Sequence, residues 1–204
     1  MTNSKITQKR CAWLSDNPLM IEYHDKEWGM PVHDDRKLFE FLILEGAQAG
    51  LTWQTVLNMR ENYSKAFYGF DPVKIARYSK KDVKRHLSNP SIIRNRLKIE
   101  AAITNAKKFL EIQKEFGSFD AYAWRFVGGE PIKHKFKSLS EILPRTKESD
   151  ALSEDLKKRG FKFVGSTICY AFMQAVGMVN DHMVNCFRYN EVSKIKRNRH
   201  QRKT

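Results

Sequence analysis

Residues 34–51 read DDRKLFEFLILEGAQAGL and place a dense apolar run directly after two aspartates. Asp34 and Asp35 are both N-cap candidates, because a short acidic side chain accepts hydrogen bonds from the first free backbone N–H groups of a helix. The run from Leu38 to Leu44 is too apolar for a helix with one wet face. This stretch therefore predicts a buried central helix.

Helical spacing continues on the carboxyl side of this segment. Ser79 and Asp82 have the spacing of a capping box, with Asp in the usual Glu position, and predict a short helix that ends at Leu87. The breaker Ser88-Asn89-Pro90 separates it from a second, longer helix predicted over residues 92–115. We therefore expect a helix, a tight turn and a helix.

The carboxyl half contains a further predicted helix and an irregular region. The helix starts near Ser149 and stops at Gly160, which suits the left-handed position after a helix because it has no Cβ. Residues 128–146, GGEPIKHKFKSLSEILPRT, are rich in Gly and Pro and predict a surface connection. Strand-like alternation is scarce, so the fold class is expected to be all-α.

The overall composition predicts one globular domain in a reducing compartment. The 204 residues are 41% hydrophobic and 29% charged, and no apolar run approaches the length of a membrane span. Three cysteines cannot build a disulfide framework, and the first ten residues lack the apolar core of a secretion signal, so the cytoplasm is the expected location. We predict a flexible segment over 1–9, a single helical domain over 10–187 and a disordered tail over 188–204.

The net charge of +14 points to a polyanionic partner, nucleic acid or an anionic membrane. Residues 187–204 contain seven lysines and arginines against Glu191, so part of this charge lies in the predicted tail. That tail either adds affinity for nucleic acid or serves only as a solubilising end. A membrane binder would need bulky apolar residues on a basic helix, and the chain beyond Ile195 offers none.

Two Cys/His pairs at opposite ends of the chain have the composition of a zinc site. Cys11 and His24 lie near the start, while His182 and Cys186 are four residues apart, a spacing that brings them to one face of a helix. Two thiolates and two imidazoles form a closed, structural site without a catalytic water. The alternative is a set of buried thiols and surface histidines, and Cys169 is interpreted as a small buried residue.

Several aromatic residues are candidates to surround one carboxylate that is expected to be buried. Trp13, Tyr23 and Trp28 follow Cys11 closely, Trp53 follows the central helix, and Glu45 ends the apolar run where side chains should be buried. Plain core packing is one explanation, with Glu45 paired to Arg60, capping a helix or facing solvent. The alternative is an aromatic cage with a negative charge, which suits a flat cationic ligand such as a methylated nucleobase.

The residues after Glu45 suit a protein that extrudes a base from DNA. Gly50 lets backbone approach DNA closely, Leu51 can wedge between bases, and Gln48 can probe the orphaned partner base. Alkylation at a purine ring nitrogen makes the base cationic and weakens its glycosidic bond. An enzyme that removes it then needs to flip the nucleotide and hold it against a carboxylate and aromatic faces.

Five stretches of the chain strongly resemble the constitutive bacterial 3-methyladenine DNA glycosylases. They are RCAWLSDNPLMIEYHDKEWG (10–29), LFEFLILEGAQAGLTWQTVL (38–57), FDPVKIA (70–76), IIRNRLKIEAAITNA (92–106) and KKRGFKFVGSTICYAFMQAVGMVNDH (157–182). The resemblance implies a helix-hairpin-helix fold in which one structural zinc, held by Cys11, His24, His182 and Cys186, ties the two ends of the chain together.

The same resemblance assigns roles around the base. It implies Glu45 and Tyr23 as hydrogen-bonding partners, Trp53 as the stacking surface, and Trp13 and Trp28 as the rest of the aromatic wall. It also implies that Gln48, Gly50 and Leu51 form the wedge. The family lacks the usual catalytic Asp of other helix-hairpin-helix glycosylases, so Glu45 is the carboxylate to test.

The resemblance also implies a helix-hairpin-helix DNA grip near the turn NPSIIRNR (89–96), where backbone N–H groups and Arg94, Arg96 or Lys98 are the expected phosphate ligands. The turn reads Asn89-Pro90-Ser91 without glycine, so one backbone donor is missing there.

A second departure is Met20, at a position where the family pattern has a Tyr. Met fills the volume and contacts rings through sulfur, but the hydroxyl is lost, which predicts altered selectivity or weaker activity.

Two hypotheses follow. The first is a monofunctional glycosylase that excises 3-methyladenine from double-stranded DNA and leaves an abasic site; no lysine nucleophile is present in the pocket motif, so lyase activity is not expected. The second is a noncatalytic DNA-binding or damage-sensing module on the same scaffold, suggested by Met20 and the basic tail. Either protein is expected to work as a monomer at the bacterial nucleoid, without a membrane.

Overall fold

The computed structural model describes residues 8–195, and helices dominate this part of the chain. The helices are α1 (Pro18–Lys26), α2 (Asp35–Gln48), α3 (Trp53–Ala66), α4 (Pro72–Ile75), α5 (Lys80–Leu87), α6 (Arg96–Phe116), α7 (Phe119–Trp124), α8 (Lys147–Lys158), α9 (Ser166–Ala175) and α10 (Phe187–Ser193). Two-residue strands β1 (Ile132–Lys133) and β2 (Val179–Asn180) pair in parallel. No described helix is long and apolar enough to cross a membrane.

Helix α2 is the buried centre of the fold, as its apolar density predicts. Every residue from Phe41 to Ala47 is buried, together with Leu38 and Phe39. The Asp34 carboxylate accepts from the backbone N–H of Lys37, which confirms it as the N-cap. α2 packs against α3, α6, α7 and α9. A helix surrounded in this way needs apolar residues on all faces, which explains the dense run.

Asp35, the other N-cap candidate, has a different structural role. Its carboxylate accepts from the backbone N–H groups of Phe119 and Asp120, both at 2.8 Å, and from Gln113 Nε2 at 2.6 Å. These donors belong to the start of α7 and the end of α6. Asp35 therefore joins the start of α2 to two distant helices, a role that its position in the sequence does not reveal.

The predicted pair of helices joined by a tight turn is present, and only the start of the second helix differs from the prediction. The capping box of Ser79 and Asp82 is formed in both directions and α5 ends at Leu87, as predicted. α6 begins at Arg96, four residues later than predicted, because the Asn95 side chain caps it by accepting from the Lys98 N–H. The turn between them keeps the apolar side chain of Ile92 buried.

Helix α8, by contrast, starts earlier than predicted. It begins at Lys147, because Thr146 and Ser149 form a capping box in which Ser149 is the third helical residue. Its end is as predicted, with Gly160 at a φ of +91° two residues after Lys158.

The expectation of an all-α fold needs one correction, since residues 128–146 are not wholly irregular. Ile132 N–H donates to Met178 O, and His134 N–H donates to Asn180 O, so this connection adds a strand to the segment after α9. A two-residue pair leaves almost no period-2 alternation to detect in the sequence. The structure is therefore mostly helical, with one small parallel bridge.

The boundary predicted for the basic tail is also too early. Residues 188–193 belong to α10, and Val192 is buried. Lys133 Nζ donates to Ser193 O, which fixes the end of this helix to β1. The rest of the predicted tail, residues 196–204, and residues 1–7 of the predicted flexible start lie outside the described part of the chain.

Gly177 lets the segment after α1 pack against the end of α9. Its φ is +70°, and a Cβ there would lie 2.3 Å from the carbonyl carbon of Met30. Two backbone hydrogen bonds at 3.0 Å surround this contact, from Gly29 N–H to Gln174 O and from Val32 N–H to Val176 O. No side chain fits between backbones at this distance.

We expect Gly177→Ala to lower the free energy of unfolding by about 2–4 kcal/mol, because it adds overpacking to left-handed backbone strain. Gly128→Ala is the matched control, since Gly128 has a φ of +67° with nothing within 4 Å of its Cβ position. That control should cost only the strain, about 1 kcal/mol. Urea denaturation measures both, and equal losses would contradict the close-approach explanation.

Candidate active site and metal centre

A cavity of about 450 Å³ opens beside the carboxyl end of α2. Its walls come from the segment before α1, from α1, α2, α3 and α9, and from the connection between β1 and α8. Seven of its lining residues are candidates predicted from the sequence: Trp13, Met20, Tyr23, Trp28, Glu45, Gln48 and Trp53. The structure thus brings the aromatic residues and the carboxylate to one concave surface.

Glu45 is a buried carboxylate without an ion pair among the described residues. It is 3% exposed, and burial raises its pKa to about 8. The predicted alternative partner, Arg60, instead binds Glu27 at 2.7 Å and Glu40 at 2.6 Å, so a Glu45–Arg60 ion pair is wrong. An unpaired carboxylate at this depth is expensive to ionise, so a cationic ligand would be strongly favoured beside it.

The aromatic wall is built from two contacting pairs. Tyr23 packs on Trp53 with ring centroids 5.2 Å apart, and Trp13 meets Trp28 edge-on at 5.0 Å. Burial, followed by the nearby Glu45 charge, raises the pKa of Tyr23, which keeps its hydroxyl protonated. The indole N–H groups of Trp13 and Trp53 are buried without a partner in the described part of the chain. These two donors remain available to a ligand or to water.

Met20, at the position where the resemblance implies a tyrosine, lies on the same wall. It is 7% exposed and lies on α1 one turn before Tyr23. Its side chain therefore belongs to the cavity lining, as predicted, and supplies an apolar contact without a hydroxyl.

The wedge residues predicted after Glu45 form a tight turn between α2 and α3. Leu51 N–H donates to Gln48 O at 2.6 Å, and Gly50 has a φ of +78° with open space around its Cβ position. Leu51 is 41% exposed. The turn thus presents an apolar tip next to the cavity.

Lys98, one of the three predicted phosphate ligands, has a different contact. Its ammonium donates to Ala47 O at 2.8 Å and to Ala49 O at 2.6 Å, at the unsatisfied carboxyl end of α2. Burial lowers the Lys98 pKa. These contacts make Lys98 a support for the Leu51 turn, and the phosphate assignment needs correction because the ammonium faces backbone carbonyls.

The two arginines of the predicted grip are exposed. Arg94 lies in the turn before α6. Arg96 begins that helix, with Glu100 at 3.4 Å as a weak surface partner. In the turn itself, the Asn89 side chain accepts from Ser91 N–H at 3.0 Å, so Asn89 orders the turn that lacks glycine.

The four Cys and His residues from the two ends of the chain meet in the buried core. Their ligand atoms lie within 4.8 Å of one another. Cys11 Sγ is 3.6 Å from His182 Nδ1, and Cys186 Sγ is 3.5 Å from His24 Nε2 and 3.7 Å from His182 Nδ1. Tetrahedral coordination with metal–sulfur and metal–nitrogen bonds of about 2.0–2.3 Å requires such separations. The cluster can therefore hold a metal ion.

The groups around the cluster select the ligand nitrogens. Trp28 O lies 3.0 Å from His182 Nε2, and the Asp25 carboxylate lies 2.7 Å from His24 Nδ1. Because a carbonyl oxygen and a carboxylate only accept, those ring nitrogens hold the protons. The opposite nitrogens then face the sulfurs, as in metal sites supported by outer hydrogen bonds.

The thiols of the cluster differ in acidity. The hydrogen bond between the two sulfurs lowers the pKa of Cys186 and raises that of Cys11. The thiolate is the form that binds a metal. Cys169 lies apart and is buried, and its thiol contacts Val164 O, in agreement with its interpretation as a core residue.

Two parts of the cavity wall were not predicted from the sequence. Ala171 and Gln174 contribute from α9, while Leu139, Ile142, Leu143 and Pro144 contribute from the connection predicted to be a surface segment. Leu139 and Leu143 are largely exposed, so they form an apolar rim. The sequence signal for the second part was the occurrence of three apolar residues, Leu139, Ile142 and Leu143, within six positions. Their position at the cavity depends on contacts with distant helices, which the sequence does not show.

Comparisons of this chain with a family model and with known proteins agree on one family. A model of the methyladenine glycosylase family matches residues 13–189. DNA-3-methyladenine glycosylase 1 of Escherichia coli (strain K12) is 53% identical over 181 residues, which are 89% of this chain and 97% of that protein.

Solved structures agree with this match. A crystal structure of 3-methyladenine DNA glycosylase I superposes with a TM-score of 0.86 at 54% identity, covering 88% of this chain and 98% of the other. A variant of 3-methyladenine DNA glycosylase I in complex with 3-methyladenine superposes with a TM-score of 0.84 at 36% identity, covering 87% and 95%. The chain therefore belongs to the methyladenine glycosylase family.

Proposed function

We propose that this protein is a monofunctional DNA glycosylase that excises 3-methyladenine from alkylated double-stranded DNA. The observation that carries the proposal is Glu45, a buried carboxylate without an ion pair among residues 8–195, set in an aromatic cavity. The names of the relatives, and the complex of one of them with 3-methyladenine, support the same substrate.

The cavity suits a flipped cationic purine. A base methylated at a ring nitrogen carries positive charge, which the face of Trp53 attracts and which an ionised Glu45 balances. The Tyr23 hydroxyl and the indole N–H of Trp13 are donors for the ring nitrogens of the base, whereas Trp53 offers its face. Specific retention of the charged base over neutral bases follows from this combination.

Hydrolysis of the N-glycosidic bond needs little from the protein beyond the aromatic cavity and the Glu45 carboxylate. The N-glycosidic bond breaks, and its electron pair leaves with the base, which becomes neutral. Glu45 stabilises the positive charge that passes to the sugar, and a water oxygen bonds to C1′ while its proton goes to solvent. No lysine is among the residues that line the cavity in the described chain, so the product is an abasic site without strand cleavage.

We infer that the Cys/His cluster holds one zinc ion. The donor set of Cys11, His24, His182 and Cys186 is that of a closed structural site, and its spacing fits tetrahedral coordination. Zinc there would tie the segment before α1 to the segment before α10. It lies in the core and supplies no step of the reaction.

We also propose that α5, the turn and α6 form a helix-hairpin-helix DNA grip. Arg94 and Arg96 are its exposed cations, and backbone N–H groups of the turn add uncharged phosphate ligands. Leu51 would fill the gap that the flipped base leaves, supported from behind by Lys98, while Gln48 probes the opposite strand. We further propose that the protein acts as a monomer at the nucleoid of the bacterial cytoplasm, where its DNA substrate is.

The alternative is binding without excision, or excision of a different lesion, and Met20 motivates it because a hydroxyl is missing from the base cavity. Release of free bases separates these functions. DNA methylated with a simple alkylating agent is incubated with the protein, and the released bases are identified by chromatography.

We expect the parent protein to release 3-methyladenine. Release of another methylated base in its place would assign the site to that lesion. DNA binding without any release would support the noncatalytic module and contradict the glycosylase.

A further inference from the structure

Gln174 lines the base cavity from α9 and is held by a buried carboxylate. Its Nε2 donates to Asp181 Oδ2 at 2.7 Å. Asp181 is only 1% exposed and lies behind the cavity wall, after β2. The contact therefore anchors the amide group of a residue whose side chain also faces the cavity.

The other contacts of Asp181 allow the side-chain amide of Gln174 only one orientation. Asp181 Oδ2 also accepts from the Tyr170 hydroxyl at 2.5 Å, and Oδ1 lies 2.6 Å from His134 Nδ1. A carboxylate engaged by three donors presents only acceptor oxygens, so Gln174 must direct its NH₂ group toward it. The amide oxygen, Oε1, is left without a hydrogen-bond partner among the described residues, on a side chain that borders the cavity.

The cavity then offers two acceptors of different character. Glu45 is an acceptor when ionised and a donor when protonated, and its pKa of about 8 makes both forms accessible near neutral pH. Glu45 can therefore adapt to an amino group or to a carbonyl on a bound base. Gln174 Oε1 cannot adapt in this way, because rotation of the amide would direct an oxygen at Asp181.

In 3-methyladenine the exocyclic amine supplies two N–H donors, whereas 3-methylguanine and 3-methylhypoxanthine have a carbonyl oxygen at the same ring position. We propose that Gln174, oriented by Asp181, is a specificity-determining residue that accepts a hydrogen bond from this amine and disfavours bases with a carbonyl there. The inference rests on the proposed function and adds the basis of lesion choice at the same site.

The test compares two free bases that differ at this position, 3-methyladenine and 3-methylhypoxanthine. Binding is measured on the full-length protein by quenching of tryptophan fluorescence, without DNA. We expect the parent to prefer 3-methyladenine by more than about tenfold, and Gln174→Met to reduce this ratio by about fivefold to tenfold, the value of one hydrogen bond. Gln54→Met is the control, because Gln54 bonds Ser15 outside the cavity and should keep the parent ratio.

The ratio of affinities distinguishes recognition from damage, since a distorted cavity weakens both bases alike. Asp181→Asn is an independent test, because Asn can donate to Gln174 Oε1 and let the amide turn; we expect the ratio to fall although Gln174 is intact. Far-UV circular dichroism and metal content verify that the variants are folded.

A parent ratio retained by both Gln174→Met and Asp181→Asn would overturn this inference and leave the proposed function intact. A parent protein that binds neither base would contradict the proposed function itself, and the inference with it.

Discussion

Glu45→Gln is expected to lower the single-turnover rate of 3-methyladenine release by about 10²–10³-fold. The amide keeps the shape of the side chain and one acceptor oxygen, but it removes the negative charge that balances the cationic base and the developing charge on the sugar. Because the carboxylate lies in a buried cavity, its field is weakly screened. Rapid mixing with excess enzyme, followed by chromatography of released bases, measures the rate.

The same substitution should make the protein more stable at alkaline pH. The folded-state pKa of Glu45 is about 8 against an ordinary pKa of 4.5 for Glu, so the folded protein binds an extra proton between these values. Stability contributed by the neutral carboxyl is therefore lost as the pH rises from 4.5 to 8. Gln carries no such penalty, and the free energy of unfolding should exceed that of the parent by up to about 5 kcal/mol above pH 8.

Glu27→Gln is the control with the opposite sign. Burial works against ionisation of Glu27, yet its hydrogen bonds to Arg60 lower its pKa overall. Its removal should destabilise the protein at neutral pH. Urea denaturation at pH 5 and pH 9 compares the variants. A Glu45→Gln protein that excises at the parent rate, or whose stability difference does not grow with pH, would contradict the role assigned to this carboxylate.

Loss of the metal is expected to have the second large effect, on stability. Removal of one ligand by Cys186→Ala, or extraction of the ion with a chelator, should abolish metal binding and lower the midpoint of thermal unfolding by more than about 10 °C. The physical reason is linkage: an ion bound only by the folded state stabilises that state. The cluster also closes a loop between residues 11 and 186, so its loss frees both ends of the chain.

Cys169→Ala is the matched control, since Cys169 is buried like the ligands and lies apart from the cluster. It should retain one metal ion per chain and lose only packing energy. Metal analysis combined with a thermal melt distinguishes the two cysteines. A Cys186→Ala protein with the metal content and melting midpoint of the parent would show that the cluster does not bind zinc as proposed.

Several structural features could be predicted from neighbouring residues alone. Asp34 caps α2, and Ser79 with Asp82 caps α5, because these hydrogen bonds span three residues. The buried character of α2 also follows from its apolar density. The predicted start of α6 was four residues too early, because the helix was expected to begin soon after the Ser88-Asn89-Pro90 breaker, whereas the Asn95 side chain caps it.

The residues of the cavity and the metal cluster were identified by chemistry, without their geometry. Aromatic side chains near a misplaced carboxylate, and Cys/His pairs at both ends, are unusual enough to stand out in the sequence. The resemblance to a family then grouped them. Their distances, burial and outer partners, such as Trp28 O behind His182, depend on how the helices pack.

The sequence by itself determined the buried helix α2, the capped start of α5 and the residue types available for chemistry, because these depend on contacts within about four positions. Only the tertiary structure decided that Arg60 leaves Glu45 unpaired, that Lys98 holds the end of α2, and that Asp181 orients Gln174. Each of these depends on which groups compete for one partner and on how much water is excluded. Competition and desolvation are properties of groups brought together from distant parts of the chain, so no local pattern encodes them.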